Sequence, residues 1–215
     1  MKRMLIKEFS LAIHPTAILF LFFGAFVFIP NYPYEVMFFF STLSIFFISL
    51  TGRENKDIYY SCMLPTDRAI VVKARILMVN ILQLSQIIVA FIMIVLKSQL
   101  LPDMRNEAGM DANLMTLFAG FVIFGMFNLT FFTAFFKDPN RVGVPFLVSS
   151  IITFLIISVQ IVLTFSLPYI RELDNMSREY TARRFYFLAI GILFFVLCNV
   201  AAIKLSEKRF EKVDL

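Results

Sequence analysis

The sequence predicts an all-α, polytopic membrane protein: six transmembrane helices preceded by an interfacial amphipathic helix. Three observations carry that expectation. Hydrophobic residues fill 60% of the 215 positions and charged residues only 16%, with a mean hydropathy of +0.82. A globule of this size has too little interior to hide so much apolar surface, which excludes a soluble enzyme and a disordered chain. The charges are clustered, leaving uncharged runs at residues 9–34, 36–52, 76–96, 112–136, 142–170 and 185–203. These runs hold between 17 and 29 residues, where a helix needs about 20 to cross the hydrocarbon core, and none shows the alternation of a barrel strand.

Residues 1–14 form the interfacial segment. Leu5, Phe9 and Ile13 recur every four residues, flanked by Met4, Ile6 and Ala12, while Lys2, Arg3, Lys7 and Ser10 take the other side and face anionic lipid. Pro15 turns the chain into the first span, and His14 is a polar residue at that bend. The basic start and the apolar stretch 17–29 imitate a secretory leader. However, Pro30-Asn31-Tyr32-Pro33 stands where small residues would mark a cleavage site, so no cleaved leader is expected.

The second run is short and is extended to include Tyr34 and Glu35, closing a hairpin outside through residues 30–35. A cytoplasmic loop, 51–75, leads to the third span; residues 97–111 join spans three and four outside. Lys137-Asp138-Pro139-Asn140-Arg141 is a tight inner turn. Residues 168–184 form the last external loop, with room for a short surface helix, and the tail from 206 extends the last helix into the cytoplasm. The chain is read as one transmembrane domain, 1–215, without an internal repeat.

With the N-terminus inside, fourteen basic residues fall in cytoplasmic segments and six outside, favouring cytoplasmic placement of both termini. The six are Lys97, Arg105, Arg171, Arg178, Arg183 and Arg184. Tyr32, Tyr34, Tyr169, Tyr180 and Tyr186 fall near external helix ends, as expected of an interfacial ring. The 28 phenylalanines are read as packing and lipid-facing surface, and Cys62 and Cys198 as unpaired thiols.

What is missing narrows the function. No run contains an interior Asp, Glu, Lys or Arg, so the titratable groups of ion-coupled transporters and pumps are not there. Nor are the His/carboxylate cluster of a metalloprotease or paired membrane aspartates; the single His14 sits at a boundary, unsuited to a buried serine–histidine pair. No catalytic residue, metal ligand or nucleic-acid partner is expected. There is no GxxxxGK[ST] phosphate loop, so any ATP-driven work must come from another chain. The polar residues inside the spans are neutral: Asn80, Gln83, Gln86, Asn128, Gln160 and Asn199. They suit helix–helix hydrogen bonds, or the lining of a translocation path.

The 51–75 loop has more structure than a linker needs. Two helical pieces are separated by Leu64-Pro65, the second opened by Thr66 as N-cap with Asp67 in its first turn and running straight into the third span. Tyr59-Tyr60 and Met63-Leu64 mixed with charges suit docking to a cytosolic protein.

These features resemble small six-helix ABC-2 type permease subunits of bacterial ABC exporters. The resemblance lies in Lys7-Glu8, His14-Pro15-Thr16, Asn55-Lys56-Asp57-Ile58-Tyr59-Tyr60, Leu64-Pro65-Thr66-Asp67-Arg68, Val72-Lys73-Ala74-Arg75 and Phe210-Glu211-Lys212-Val213-Asp214-Leu215. It is similar above all to permeases exporting phenol-soluble modulins and related amphipathic peptides. The resemblance implies a bacterial plasma-membrane protein whose two permease copies, identical or different, pair to give twelve helices. Each would contact a separate ABC ATPase that holds ATP and Mg. It further implies that the 51–75 loop carries a coupling helix, with Arg53, Glu54, Asp57, Tyr59, Tyr60, Leu64, Pro65, Asp67 and Arg68 as docking candidates. Larger relatives carry re-entrant helices and an external domain after the fifth span, for which only residues 168–184 are available here. Competing classes are a sequestering immunity protein, the substrate-capture component of a vitamin importer and, for want of catalytic groups last, a membrane enzyme.

Overall fold

The computed structural model describes the whole chain except residues 103, 105, 175–177, 214 and 215. The external Arg105 and the final Asp214-Leu215 of the tail therefore lie outside the described residues. The fold is all-α. Helices α1 (Lys2–Lys7), α2 (Pro15–Leu21), α3 (Val36–Glu54), α4 (Asp57–Met63), α5 (Arg68–Leu100), α6 (Leu114–Phe135), α7 (Gly143–Ser166), α8 (Pro168–Asp174) and α9 (Thr181–Phe210) follow one another. Five of them, α3, α5, α6, α7 and α9, are long and apolar enough to cross a membrane. The sixth crossing expected from the sequence is a bent pair, Lys2–Ala12 and Pro15–Phe28, whose halves meet at 90°.

That bend follows from local chemistry. Ile13 and His14 are extended ahead of Pro15, which cannot donate a backbone hydrogen bond and serves as the first helical residue of α2. The His14 ring accepts from the Thr16 backbone N–H at 3.3 Å and stacks on Phe47. The interfacial helix itself loosens into a π-helical turn at Glu8–Ala12, and the first span tightens into a 3₁₀ helix at Phe22–Phe28. The tightening lengthens a span of only fourteen residues to about 24 Å, because 3₁₀ geometry rises about 2.0 Å per residue and α geometry 1.5 Å. The amide of Gln86, oriented as its neighbours require, closes the break. It donates to the carbonyls of Phe20 and Leu21 at 3.1 and 3.0 Å and accepts from Gly24 N–H at 3.2 Å. Gly24 lets the two backbones meet: a Cβ there would sit 2.8 Å from Val89 Cγ1 and 3.2 Å from Ala90 N.

Helix α6 is the axis of the bundle, packed along α9 and against α7 and α5. Of its most apolar stretch 61% is buried, against 17% for α7, which is the outermost span. Two apolar clusters fill the interior. One, nearer α4, is dominated by Phe127, Phe131, Phe132, Phe135, Phe136 and Phe210, with Phe127, Phe131 and Phe135 stacked ring on ring. The other gathers Val27, Met37, Phe38, Leu117, Phe121 and Phe124 at the opposite end. The phenylalanines of α6 therefore build the core rather than a lipid surface.

Three boundaries differ from the expectation. Helix α5 opens at Arg68, with Asp67 in the cap position and no side-chain cap, rather than at Thr66. Leu64 is held extended by Pro65, and Thr66 is spent in a tight turn back to the Leu64 carbonyl at 2.7 Å. Lys97 is not a loop residue: α5 runs on to Leu100, and its ammonium is buried against Tyr34, donating to the hydroxyl at 2.5 Å. Tyr34 is thus a buried partner rather than an interfacial ring. At the other margin α9 begins at Thr181, so Arg183 and Arg184 are helical, and Arg184 is buried with its Nε donating to the Leu173 carbonyl at 2.7 Å. Helix α8 is a short helix in the expected place, and Asn140 N–H accepted by Asp138 Oδ1 at 3.2 Å helps fold the tight 137–141 turn.

Candidate functional site

Helix α4 lies across one end of the bundle because the chain reverses twice around it. Lys56 takes a left-handed conformation (φ 52°) to end α3 and start α4, and Leu64-Pro65 ends α4 before α5. A buried four-charge network fixes it there. Arg75 of α5 pairs with Glu8 (Nε to Oε2, 2.6 Å) and with Asp57 of α4; Lys7 pairs with Asp57 and with Glu8 (3.1 Å). Lys7 also donates to Ser61 Oγ at 2.7 Å, and Ser61 in turn donates to the Asp57 carbonyl. Glu8 and Arg75 are almost wholly buried, so each charge needs its partner. Burial opposes ionisation of Asp57, but the charges and hydrogen bonds of Arg75 and Lys7 outweigh it and hold the carboxyl below the usual carboxylate range. The interfacial helix, α4 and α5 are thus tied to one another through buried ion pairs. Lys7, expected to face lipid headgroups, is instead part of this network.

The outer face of α4 is open. Tyr59, Tyr60, Met63 and Leu64 are 42, 65, 63 and 49% exposed, and Arg53, Glu54, Pro65 and Asp67 are exposed beside them. A groove of about 410 Å³ runs between α4 and the 137–141 turn, lined by Arg53, Lys56, Tyr59, Pro139 and Asn140. A second, of about 370 Å³, separates α4 from the interfacial helix and is lined by Leu11, Asn55, Tyr60 and Leu64. Two of the nine docking candidates point elsewhere. Asp57 is turned into the charge network, and Arg68 donates to the carbonyl of Val213 at 2.7 Å while lying over the Phe210 ring, closing the end of α9. With the Lys73–Glu207 pair (3.1 Å), Arg68 joins the start of α5 to the end of α9.

The membrane-interior amides separate into two groups. Asn128 of α6 exchanges hydrogen bonds with Gln83 of α5 at 2.7 and 2.8 Å and reaches Asn80 and Asn199 at 3.0 Å each, so one residue joins α5, α6 and α9. Gln86 holds the break in the first span. Gln160 on α7 stands apart, at a cavity on the end opposite α4. The positioning residues Glu8 and Arg75 were not among the candidates. The signal in the sequence is that each borders an uncharged run, on opposite sides in charge.

No curated protein and no solved structure matches the chain. A family model, the ABC-2 family transporter protein, matches residues 3–211, which includes the interfacial helix, α4 and every span. The chain belongs to the ABC-2 family of transporter proteins, as a multi-pass membrane component of an ABC transporter.

Proposed function

We propose that this chain is the permease half of an ATP-driven exporter, and that its partner ATPase, carrying ATP and Mg, docks on the exposed face of α4. The observation that supports this most is the asymmetry of α4. Its inner face is fixed by buried charges to α5, whereas its outer face offers two tyrosines, Met63 and Leu64 between two grooves. A surface helix that packs nothing with its aromatic side suits a protein partner. Because α4 is tied to the interfacial helix and to a 33-residue α5, a push on it reaches the far side of the membrane without a flexible link.

In this reading α4 and both termini are cytoplasmic, in a bacterial plasma membrane, and a second permease copy packs beside the first. The weakly buried α7 suits that contact. The conduit forms between copies. Asn80, Gln83, Gln86, Asn128 and Asn199 are engaged within the subunit, and Gln160 lines the cavity at the end opposite α4, so the conduit walls are mostly apolar. An apolar path lined by neutral groups suits an amphipathic peptide, such as a cytolytic or antimicrobial one, better than an ion.

The test is ATP hydrolysis by the partner ATPase in lipid nanodiscs with and without this chain. Stimulation is expected with the unaltered chain and a loss of at least tenfold in the coupling with Tyr59→Ser/Tyr60→Ser, which touches no internal contact. Unchanged stimulation by the double variant would remove the docking role of α4. Protection of cells against a toxin without any ATPase would favour sequestration instead.

A further inference from the structure

At the end of the bundle opposite α4, the start of α6, the end of α7, α8 and the start of α9 surround a cavity of about 200 Å³. One side is apolar, formed by Phe118, Leu163 and Phe187. The other presents Glu35, Gln160 and Asp174. Glu35 is 8% exposed, and its Oε2 has no hydrogen-bond partner among the described residues; the same holds for the buried Oε1 of Gln160. Asp174 accepts from the Asp111 backbone N–H at 3.0 Å through Oδ2. Glu35 Oε2 and Gln160 Oε1 are thus buried acceptors in want of a donor, in surroundings where an unmet acceptor is costly.

Among the described residues that act on one another here, carboxylates outnumber cations. Glu35, Asp111 and Asp174 are the carboxylates that act on one another here, and Arg184 and Lys97 are the cations. Arg184 Nε donates to the Leu173 carbonyl while its charge acts on Asp174 and Asp111, and Lys97 Nζ donates to the Tyr34 hydroxyl. A positively charged donor would give the unmet Glu35 oxygen a partner. A metal ion does not suit the place: hard cations take six or more oxygens, and no group of three or more potential His, Cys, Asp or Glu ligands exists among the described residues. An organic ammonium does suit it. It brings three donors and no acceptor, and it can carry an apolar body to lie against the Phe118 and Phe187 rings, whose faces attract a cation. The volume is roughly six times a water molecule's share of the liquid, enough for a short alkyl chain.

We propose that this cavity binds a primary ammonium group carried on a short apolar chain, with Glu35, Asp174 and the Gln160 carbonyl oxygen as its hydrogen-bond acceptors. A peptide's amino terminus, a lysine side chain and a free alkylamine share that chemistry. Burial, reinforced by the neighbouring Glu35 and Asp111 charges, pushes the Asp174 carboxyl up to about 7, and burial raises Glu35 as well. As Asp174 takes up its proton near pH 7 it no longer attracts a cation, so binding weakens as pH falls through that value.

The experiment follows thermal unfolding of the purified chain in nanodiscs while n-butylammonium chloride is added, with equal sodium chloride and 1-butanol as controls. At pH 8 butylammonium is expected to raise the midpoint saturably, with half-saturation at least tenfold below that of 1-butanol. Glu35→Gln/Asp174→Asn is expected to weaken it tenfold or more, and so is lowering the pH to 5.5. A short peptide with a free amino terminus competing where its acetylated form does not identifies the peptide as a source; equal competition by both assigns the site to side-chain or free amines. Equal responses to butylammonium and butanol, or a double variant that binds as the unaltered chain does, would overturn the proposal. Should the double variant not fold, the pH series on the unaltered chain decides: a response independent of pH overturns it. Binding requires no ATPase, so its failure leaves the permease reading untouched, and a failure of ATPase docking leaves this site untouched.

Discussion

The two ends of the bundle use the same kinds of residue to opposite effect. At the α4 end two cations, Lys7 and Arg75, meet two carboxylates, Glu8 and Asp57, pair by pair, and the result is a rigid joint between three helices. At the far end Glu35 and Gln160 keep side-chain oxygens without a hydrogen-bond partner among the described residues, and both line a cavity. Buried charge that is matched internally specifies geometry; a buried acceptor left unmet leaves a place for something else. In the proposed reading, the end that docks the ATPase is the closed one, and the end where cargo would leave is the open one.

The largest effect is expected from removing the centre of the matched end. Arg75→Met leaves Glu8 and Asp57 to share Lys7 alone, and breaking a buried pair from one side costs about 3–5 kcal/mol. The expected outcome is a marked fall of the thermal midpoint in detergent together with lost ATPase stimulation, because α4 is no longer held. Glu8→Leu/Arg75→Met, which removes both charges of the fully buried pair, is expected to cost less than the sum of its single changes. Strict additivity would mean that the two ends are not distinguished by pairing at all.

How much of this could be read beforehand depends on how local the cause is. The uncharged runs located α3, α5, α6, α7 and α9, and His14-Pro15 marked the bend, because apolar length and proline geometry are written in neighbouring residues. The 3₁₀ segment at Phe22–Phe28 was not legible: the run around it is uniformly apolar, and the group that holds the break, Gln86, lies on another helix. Lys97 and Arg184 looked like loop residues because a charge was taken to end a span. The helices instead run on, and Tyr34 and the Leu173 carbonyl give the cations partners. Most of the α4 surface was legible as a mixed aromatic loop. That Asp57 and Arg68 turn inward was not, since their partners lie 18 and 145 residues away. Glu35 had a signal that went unused: it alone interrupts two uncharged runs.

The break in the first span lies between the two ends and shows whether they are mechanically joined. Gln86→Leu leaves the Phe20 and Leu21 carbonyls and the Gly24 N–H without their amide, at a cost of about 1–3 kcal/mol for unmet buried groups. Amide hydrogen exchange is expected to quicken at residues 20–24 while the Lys7–Arg75 network stays protected. Loss of protection at both would mean that the short span, rather than α5, carries the connection.

The ends are further expected to titrate in opposite senses. Asp57 has a lowered folded pKa, so its contribution is present above the ordinary value of 3.8 and is lost as pH falls through the folded one. Asp174 is raised from 3.8 to about 7, so the folded chain binds its proton more tightly than the unfolded chain and stability declines as pH rises from about 4 to 7. Asp174→Asn is therefore expected to unfold at a higher temperature than the unaltered chain at pH 8 and to flatten the profile in that window. Asp57→Asn is expected to be destabilised at every pH above about 4. A raised midpoint for Asp57→Asn at pH 8 would reverse the assignment of the closed and open ends.

The smallest effect belongs to the one cation–hydroxyl contact that the open end does complete. Tyr34→Phe keeps the ring under the Lys97 ammonium, 4.6 Å from its centroid, and removes only the hydroxyl acceptor. The loss is about 1.5 kcal/mol, the low end for a hydrogen bond to a charged group, because the ring attraction survives. Its direction on ligand binding is the sharper readout. A Lys97 ammonium released from Tyr34 can turn toward the Asp111 carboxylate, whose charge already acts on it, and so remove part of the surplus that an ammonium ligand would meet. Butylammonium is then expected to bind several-fold more weakly to Tyr34→Phe than to the unaltered chain, although the substitution touches no atom of the cavity wall. Unchanged binding would mean that the cavity senses only Glu35 and Asp174, and that the charge of this end is settled locally, as it is at α4.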